Sequence, residues 1–129
     1  MHSLFNKVAI VTGCTADSIG RACALQLAKK GTKVVVTGRT ESGGKETEKI
    51  IKDNGGNCLY VKHDVTKEND WKSVIHQTIS KYKRIDFLIN NAGEAIVKPI
   101  EKLTFNDLEF LRLVDLDGPF IGIKYCWKY

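Results

Sequence analysis

The sequence predicts an α/β fold in which helices cover a parallel β-sheet. Short apolar runs that end at glycine or polar residues alternate with longer segments of helical periodicity along most of the chain. This alternation is typical of parallel strands, because the crossover between two such strands is usually a helix. The apolar runs have no polar face, which indicates that helices cover both faces of the sheet.

Three strands and two helices are predicted in the first half of the chain. Residues 7–12 form a continuous apolar run, as expected of a strand buried on both faces, and residues 32–37 and 57–61 are the second and third predicted strands. Small and apolar residues recur at helical spacing over residues 19–30, and a second helix is predicted over residues 42–54. Strands and helices therefore alternate, as a parallel sheet requires.

Helix-terminal signals support these boundaries. Asp17 or Ser18 is available as the N-cap of the first helix, and Gly31 follows its last turn. Gly55 and Gly56 close the second helix in the same way.

A third helix and a fourth strand follow. The helix is indicated by an amphipathic stripe with helical spacing, formed by Trp71, Val74, Ile75, Thr78, Ile79 and Tyr82. Residues 85–89 are the fourth predicted strand, which runs into the polar segment 90–93. Thr104 and Asp107 resemble a capping box that opens a last helix reaching the C-terminus.

The last predicted helix has two unusual features. Pro119 lies in its interior and cannot donate to the carbonyl of Asp115, so we expect a kink and a freed carbonyl there. Its final turns are apolar nearly all round, which predicts that more than one side is covered. These apolar residues are Phe120, Ile121, Ile123, Tyr125, Trp127 and Tyr129.

Composition indicates an ordinary globular protein with a single domain over residues 1–129, because it is 43% hydrophobic and 27% charged. No apolar run approaches the roughly 20 residues of a membrane span, and no secretory signal is visible, so a cytoplasmic location is expected. The net charge of +5 is spread over predicted helices, which argues against nucleic acid as a partner. The cysteines are widely spaced, so we predict reduced thiols and no metal site. They are Cys14, Cys23, Cys58 and Cys126.

The glycine-containing segment 12–22 connects the first strand to the first helix. In this position, backbone N–H groups and the positive end of a helix can meet a pyrophosphate, as in Rossmann-type sheets. An ordinary glycine turn with a serine N-cap remains the alternative.

Several segments in the right order together resemble the short-chain dehydrogenase/reductase family over essentially the whole chain. They are Thr12-Gly13 with Ser18-Ile19-Gly20 after the first strand, Asp64-Val65 after the third, and Asn90-Asn91-Ala92-Gly93 after the fourth. The resemblance implies a doubly wound sheet with strand order 3-2-1-4, and an NAD(P)-dependent oxidoreductase acting on a carbonyl/alcohol pair. The chain corresponds to the N-terminal, cofactor-binding half of such a protein.

The first motif departs from the family pattern. It is one residue longer, and Ser18 replaces the middle glycine of the expected Gly-Ile-Gly. A lengthened turn that ends in Ser-Ile is similar to that of the enoyl-reductase branch of the family.

The end of the second strand bears on cofactor preference. An acidic side chain there suits the ribose hydroxyls of NAD, whereas a basic one suits the 2′-phosphate of NADP. Here the strand ends in Thr37-Gly38-Arg39-Thr40, without a carboxylate, and a guanidinium can hold a phosphate through two parallel hydrogen bonds. NADP is therefore favoured over NAD, the alternative being that Arg39 is a solvated loop charge.

The resemblance implies a role for each motif. Asp64 would accept a hydrogen bond from the adenine amino group, with Val65 beside the ring, although a turn or capping role for Asp64 is equally consistent with its position. The segment 91–93 would line the ribose and pyrophosphate. The predicted cofactor-binding residues are Gly13, Thr15, Ser18, Ile19, Gly20, Arg39, Thr40, Asp64, Val65, Asn91, Ala92 and Gly93.

Family members carry an asparagine in the last of these helices whose carbonyl holds a water of a proton relay. This chain has Asp115 there, between Val114 and Leu116. The carbonyl freed by Pro119 would suit such a water, but Asp115 is equally consistent with an ordinary helical carboxylate.

No catalytic residue is predicted in this chain. The family uses a tyrosine, a lysine four residues later and a serine, and the resemblance implies that these lie beyond residue 129. The residues four positions after Tyr60, Tyr82 and Tyr125 are Asp64, Asp86 and Tyr129, so no Tyr-x-x-x-Lys exists, and the serines all precede the fourth strand. We therefore expect the 129 residues alone to be inactive.

Without strands beyond the fourth, residues 85–89 become an apolar edge strand. Unpaired backbone groups at such an edge invite pairing, so self-association through the fourth strand or the last helix is predicted. Two alternatives remain: a non-catalytic nucleotide-binding or interaction module built on this fold, or a fragment of a longer reading frame that encodes the missing catalytic residues.

Overall fold

A computed structural model, which describes residues 3–129, contains one sheet of four parallel strands. In chain order these are β1 (Val8–Thr12), β2 (Lys33–Gly38), β3 (Cys58–Lys62) and β4 (Phe87–Ile89). The order across the sheet is β3-β2-β1-β4, which confirms the order implied by the resemblance. Because all strands run in one direction, their carboxyl ends lie along the same edge.

Five α-helices follow the strands or connect them. They are α1 (Ile19–Lys29), α2 (Glu41–Asp53), α3 (Glu68–Tyr82), α4 (Phe105–Arg112) and α5 (Gly118–Cys126). A single 3₁₀ turn at Ile100–Lys102 precedes α4, and a π-helical turn at Leu113–Asp117 joins α4 to α5. No helix within residues 3–129 is long and apolar enough to cross a membrane.

Two apolar layers cover the sheet. Val8 and Ile10 of β1 face α3, where they pack with Val74 and Ile75. Val11 belongs to the opposite layer, which α1 and α2 cover. All five residues of β1 are buried, which explains why this strand reads as a continuous apolar run rather than an alternating one.

The helix caps follow the sequence signals closely. The hydroxyl of Ser18, not Asp17, accepts a hydrogen bond from the Arg21 N–H and caps α1. Thr104 and Asp107 form the predicted capping box of α4, in which each side chain accepts from the other's backbone N–H.

The fourth strand is shorter than predicted, because a carboxylate takes the place of strand pairing at its start. Asp86 Oδ2 accepts a hydrogen bond from the Val8 N–H at 2.9 Å, and the Asp86 N–H donates to the Val8 carbonyl at 2.8 Å. Arg84 donates to both oxygens of the same carboxylate. Only residues 87–89 therefore pair as a strand.

Pro119 lies, as predicted, in the interior of a helical segment, because residues 105–126 are helical without a break. The irregularity expected there is a π-helical turn directly before α5, across which the Gly118 N–H donates to the Leu113 carbonyl. Helix α5 ends at Cys126, before the predicted end at the C-terminus. The wider π-helical turn thus accommodates the proline.

Helix α5 is only partly covered. A Cβ at Gly122 would lie 2.5 Å from the Trp71 ring, so only glycine lets α5 approach α3 this closely. Tyr125 packs against the core on this side, whereas Trp127 is 87% exposed. One side of the helix is therefore covered within the described residues, and the other is open.

Candidate functional site

A cleft of about 340 Å³ lies at the carboxyl ends of the four strands. The segments that follow β1, β2, β3 and β4 all contribute to it, together with the π-helical turn. Its lining residues are Gly13, Thr15, Ala16, Ser18, Ile19, Thr37, Gly38, Arg39, His63, Asp64, Val65, Asn91, Ala92, Gly93, Glu94 and Val114.

Ten of the twelve residues predicted for the cofactor site line this cleft; the exceptions are Gly20 and Thr40. Gly20 is buried behind the turn, and Thr40 is the N-cap residue of α2. Six other lining residues were not predicted from the sequence: Ala16, Thr37, Gly38, His63, Glu94 and Val114. Position alone could have identified most of them, since they adjoin predicted residues at strand ends, and Val114 lies next to Asp115 in the segment that resembles a family motif.

The turn after β1 is built around two glycines and one amide. Gly13 has φ of +74°, and a Cβ there would lie 2.8 Å from Asn91 Nδ2. A Cβ at Gly20 would lie 2.4 Å from the same atom. Asn91 Nδ2 donates to the Thr12 carbonyl at 2.9 Å and to the Gly13 carbonyl at 3.2 Å. The Asn91 amide therefore braces the end of β4 against the turn, and both glycines leave space for it.

Ser18 closes the same turn from the helix side. Its hydroxyl donates to the Gly13 carbonyl and accepts from the Arg21 N–H, both at 3.2 Å. The first N–H groups of a helix have no intrahelical acceptor, and Ile19, the first residue of α1, lines the cleft at the positive end of this helix. This end of α1 has the donors and the polarity for binding an anion.

Arg21 stabilises the turn after β1 through hydrogen bonds to α2. It is 7% exposed and joins α1 to α2: its Nε donates to Thr47 Oγ1 at 2.8 Å, and its Nη2 donates to Glu46 Oε2 at 2.7 Å. Thr47 Oγ1 in turn donates to the Cys14 carbonyl at 2.6 Å. Asp17 accepts from Arg21 Nη1, so it serves as an ion-pair partner rather than as the cap. No pattern in the sequence identified this network.

Arg39 meets an unexpected partner across the mouth of the cleft. Its Nη2 donates to Glu94 Oε1 at 2.6 Å, and the two side chains are 62% and 32% exposed. Arg39 follows β2 and Glu94 follows β4, so the pair passes over the end of β1, which lies between those strands. Arg39 is therefore paired with a carboxylate and is not a solvated loop charge.

Asp64 organises the turn after β3. Its Oδ1 accepts from the Thr66 N–H at 3.0 Å and from the Thr66 hydroxyl at 2.7 Å. Burial raises the pKa of Asp64, but the two Thr66 donors, with Lys67 and Arg39 nearby, outweigh burial and hold the pKa below its ordinary value. The turn role that the sequence left open is therefore present, and the ionised carboxylate also lines the cleft.

His63 forms a buried part of the cleft wall. It is 1% exposed, its Nδ1 lies 2.9 Å from Thr37 Oγ1, and its ring meets the Trp71 ring edge-on at 4.3 Å between centroids. Burial lowers the pKa of His63 to about 4, although Asp70 and Asp64 act in the opposite direction. The imidazole is therefore neutral at neutral pH, and its Nε2 has no hydrogen-bond partner within residues 3–129.

Asp115 fixes the segment after β4. Its Oδ1 accepts from the Glu94 N–H at 3.0 Å. The adjacent Val114 is 5% exposed and anchors the π-helical turn in a core with Val65 and Trp71. Asp115 is thus more than a solvated helical carboxylate, while a water-binding role for its carbonyl stays a prediction.

Comparison with protein-family models finds a match to the short chain dehydrogenase model over residues 7–129. An uncharacterized oxidoreductase of Thermotoga maritima is 37% identical over 123 residues, which cover 95% of this chain and 48% of that protein. The NADP-dependent (R)-specific alcohol dehydrogenase of Lentilactobacillus kefiri is 38% identical over 123 residues, covering 94% of this chain and 47% of that protein.

Comparison with solved structures also finds short-chain dehydrogenases. The crystal structure of a short chain dehydrogenase from Bacillus anthracis superposes with a TM-score of 0.91 at 35% identity, over 98% of this chain and 52% of the other. A Serratia marcescens short-chain dehydrogenase/reductase mutant gives 0.91 at 26% identity, also over 98% of this chain and 52% of the other. The chain therefore spans about half the length of the relatives it matches.

Proposed function

The chain belongs to the short-chain dehydrogenase family of oxidoreductases, and from that premise we propose that its cleft binds a nicotinamide dinucleotide, NADP in preference to NAD. The proposed contacts are made by the twelve residues predicted from the sequence, with Gly20 and Thr40 acting through the turns they support rather than as part of the lining.

The phosphate end of the cleft fits such a ligand. The turn after β1 lines the cleft with Gly13 and places the positive end of α1 beside it. Asn91 is already committed to the Thr12 and Gly13 carbonyls, so we assign it the shaping of this turn. Direct contact with the ribose would then come from its neighbours, Ala92 and Gly93.

Arg39 carries the preference for NADP. Its guanidinium lines the cleft after β2, and the residues at the end of that strand, Thr37 to Thr40, include no carboxylate to accept from the ribose hydroxyls of NAD. A guanidinium can bind a phosphate through two parallel hydrogen bonds. The Lentilactobacillus kefiri relative, named as NADP-dependent, supports the same preference by similarity.

The whole protein, by this proposal, is an oxidoreductase acting on a carbonyl/alcohol pair. The bound nicotinamide supplies the hydride chemistry. The residues described here bind and orient the dinucleotide, and Val65 with Val114 keeps water from one side of the cleft. The 129 residues contain no Tyr-x-x-x-Lys, so we propose that on their own they bind the cofactor without turning over substrate. A cytoplasmic location, consistent with unpaired cysteines, belongs to the same proposal.

Calorimetric titration tests the cofactor assignment. We expect NADP to bind more tightly than NAD, and Arg39→Gln to weaken NADP binding about tenfold while leaving NAD binding nearly unchanged, since one charge-assisted contact contributes about 1.5 to 3 kcal/mol. Lys29→Gln removes the same charge from an exposed position in the last turn of α1 and serves as the control. The proposal fails if NAD binds more tightly than NADP, or if the two variants behave alike.

We also propose a homo-oligomer formed through β4 and α5. Within the described residues β4 pairs only with β1, and a groove of about 280 Å³ separates it from α5. This groove includes Phe87, Ile123 and Trp127, which are 38%, 53% and 87% exposed. An open strand edge beside exposed aromatic residues is suited to pairing with a second copy.

Light scattering after size-exclusion chromatography tests the assembly. The unsubstituted chain should elute as an oligomer, and Trp127→Lys should shift it toward monomer. Val97→Lys, at a 96% exposed loop position outside the groove, should leave the mass unchanged. A stable monomer of the unsubstituted chain at high micromolar concentration would contradict the proposed oligomer.

A further inference from the structure

Arg39, the residue proposed to bind the 2′-phosphate, is already paired with a carboxylate. Only one of its donor atoms is used, because the contact runs from Nη2 to Glu94 Oε1 at 2.6 Å. Neighbouring strands lie about 4.8 Å apart, so a pair that joins the ends of β2 and β4 spans roughly 10 Å over the turn after β1. The ion pair therefore crosses the part of the cleft that a dinucleotide phosphate would enter.

We propose that Glu94 determines the affinity of the cleft for 2′-phosphorylated nucleotides by competing with the phosphate for the Arg39 guanidinium. This inference rests on the proposed function, because it assumes that the dinucleotide binds in this cleft. It assigns a specificity-determining role to a residue that no motif in the sequence identified.

The competition follows from the charges of the two acceptors. A phosphate monoester carries about −1.5 to −2 at neutral pH, compared with −1 for a carboxylate, and it can accept from both arms of the guanidinium. The phosphate therefore replaces Glu94 on Arg39. The exposed ion pair must first be broken, and such pairs contribute at most about 1 kcal/mol, which corresponds to roughly fivefold in affinity.

The displaced carboxylate stays close to the ligand. The Glu94 N–H donates to Asp115 Oδ1 at 3.0 Å, and a Cβ at Gly93 would lie 3.3 Å from that same oxygen. The backbone of Glu94 is thereby held at the rim of the cleft, and its side chain is only 32% exposed. The Glu94 carboxylate therefore remains within reach of Arg39 and competes with a bound phosphate for the guanidinium.

Affinity measurements on Glu94→Gln test this role. By isothermal titration calorimetry at low ionic strength, we expect the substitution to tighten NADP binding about three- to fivefold and NAD binding less than about twofold. The difference should shrink at high salt, because the Arg39 side chain is 62% exposed and its charge is screened. Glu109→Gln makes the same change in net charge on an exposed face of α4 and should leave both affinities unchanged.

A double-mutant cycle separates competition from simple repulsion. In an Arg39→Gln background, Glu94→Gln should change NADP affinity less than about twofold, because there is no guanidinium left to compete for. A gain as large as in the unsubstituted background would overturn the proposed competition. Equal NADP affinity of Glu94→Gln and Glu109→Gln would also overturn it while leaving the cofactor assignment intact. If the unsubstituted chain and Glu94→Gln bind neither dinucleotide, the proposed function fails, and the inference fails with it.

Discussion

The β1–β2–β3 side of the molecule and the side formed by β4, α4 and α5 are similar in apolar content but differ in how much of it is covered. Val8 and Val35 are fully buried, whereas Phe105 is 91% exposed and Trp127 is 87% exposed. The central strands have neighbours on both edges and helices on both faces, while β4 has one neighbouring strand among the described residues. Burial therefore depends on which elements have partners, not on hydrophobicity alone.

Replacing one tryptophan on each side by alanine should give the largest difference in the free energy of unfolding. Trp71 is fully buried, donates to the Val65 carbonyl at 2.9 Å and packs against His63, so Trp71→Ala should lower the free energy of unfolding by about 3 to 5 kcal/mol. Trp127→Ala should change it by less than about 0.5 kcal/mol. Urea unfolding followed by circular dichroism measures both. Similar losses would mean that the two sides are equally packed.

The pH dependence of the free energy of unfolding should show the effect of burying His63 in the wall of the cleft. His63 has its pKa lowered to about 4 by burial, against 6.5 for the exposed residue, so the unfolded state binds the proton more readily. Above pH 6.5 His63 is neutral in both states and does not affect the free energy of unfolding. As the pH falls from 6.5 to 4, the unfolded state takes up the proton first, which lowers the free energy of unfolding by about 3 kcal/mol.

The His63→Asn variant, which keeps a polar atom near the Thr37 hydroxyl, should therefore lose less stability between pH 7 and pH 4 than the unsubstituted chain. His76→Asn, at an exposed position of α3, should retain the full pH dependence. Chemical denaturation at a series of pH values measures these slopes. An unchanged slope in His63→Asn would show that other groups cause the acid sensitivity.

Two arginines offer a smaller contrast. Arg21 is 7% exposed and joins α1 to α2, and its removal takes away the donor to Thr47 Oγ1 and the ion-pair partner of Glu46, so Arg21→Met should cost about 2 kcal/mol. Arg112 pairs with Asp117 on the open side, where its side chain is 49% exposed, and Arg112→Met should cost less than about 0.5 kcal/mol. Thermal unfolding at matched concentrations compares them; equal effects would contradict the distinction.

The smallest effect is expected at the C-terminus of α3. Lys83 has φ of +65°, a left-handed conformation that favours glycine, and its N–H donates to the Ile79 carbonyl at 3.0 Å. Lys83→Gly should raise the free energy of unfolding by up to about 1 kcal/mol. His76→Gly, in the interior of α3, should lower it by a similar amount. A loss at position 83 comparable to that at position 76 would rule out the predicted relief of strain.

Local patterns in the sequence predicted the fold class, and the resemblance to the family implied the strand order and most of the residues of the cleft. Buried parallel strands read as continuous apolar runs, and the residues that follow them meet at one edge of the sheet. The shortening of β4 was not predictable, since it depends on Asp86 accepting from the Val8 N–H, 78 positions away. An irregularity at Pro119 was predicted, but no pattern in the sequence indicated that it would be a π-helical turn.

The site residues that were not predicted from the sequence act through contacts between distant segments. Arg21 looks like any helical arginine until its Nε is seen on Thr47 of another helix. Glu94 follows a recognised motif, but its importance depends on the direction of the Arg39 side chain. A position at the end of a strand shows which residues can line a cleft. Which of their charges pair within the cleft can be seen only in the three-dimensional structure.

The long connection between β1 and β4 has a consequence for the kinetics of folding. Val8 of β1 is in register with Lys33 of β2, whereas Ala9 of β1 is in register with Phe87 of β4, so the second pairing closes a loop roughly three times as long. The added chain entropy is about 1 kcal/mol, and we expect β4 to join after β1, β2 and β3 have assembled. Stopped-flow measurements on Leu88→Ala should then give a φ-value near zero, and a value near one would reverse this order. The edge that stays open in the folded chain would thus also be the last to form, which lengthens the time during which it can capture a second molecule.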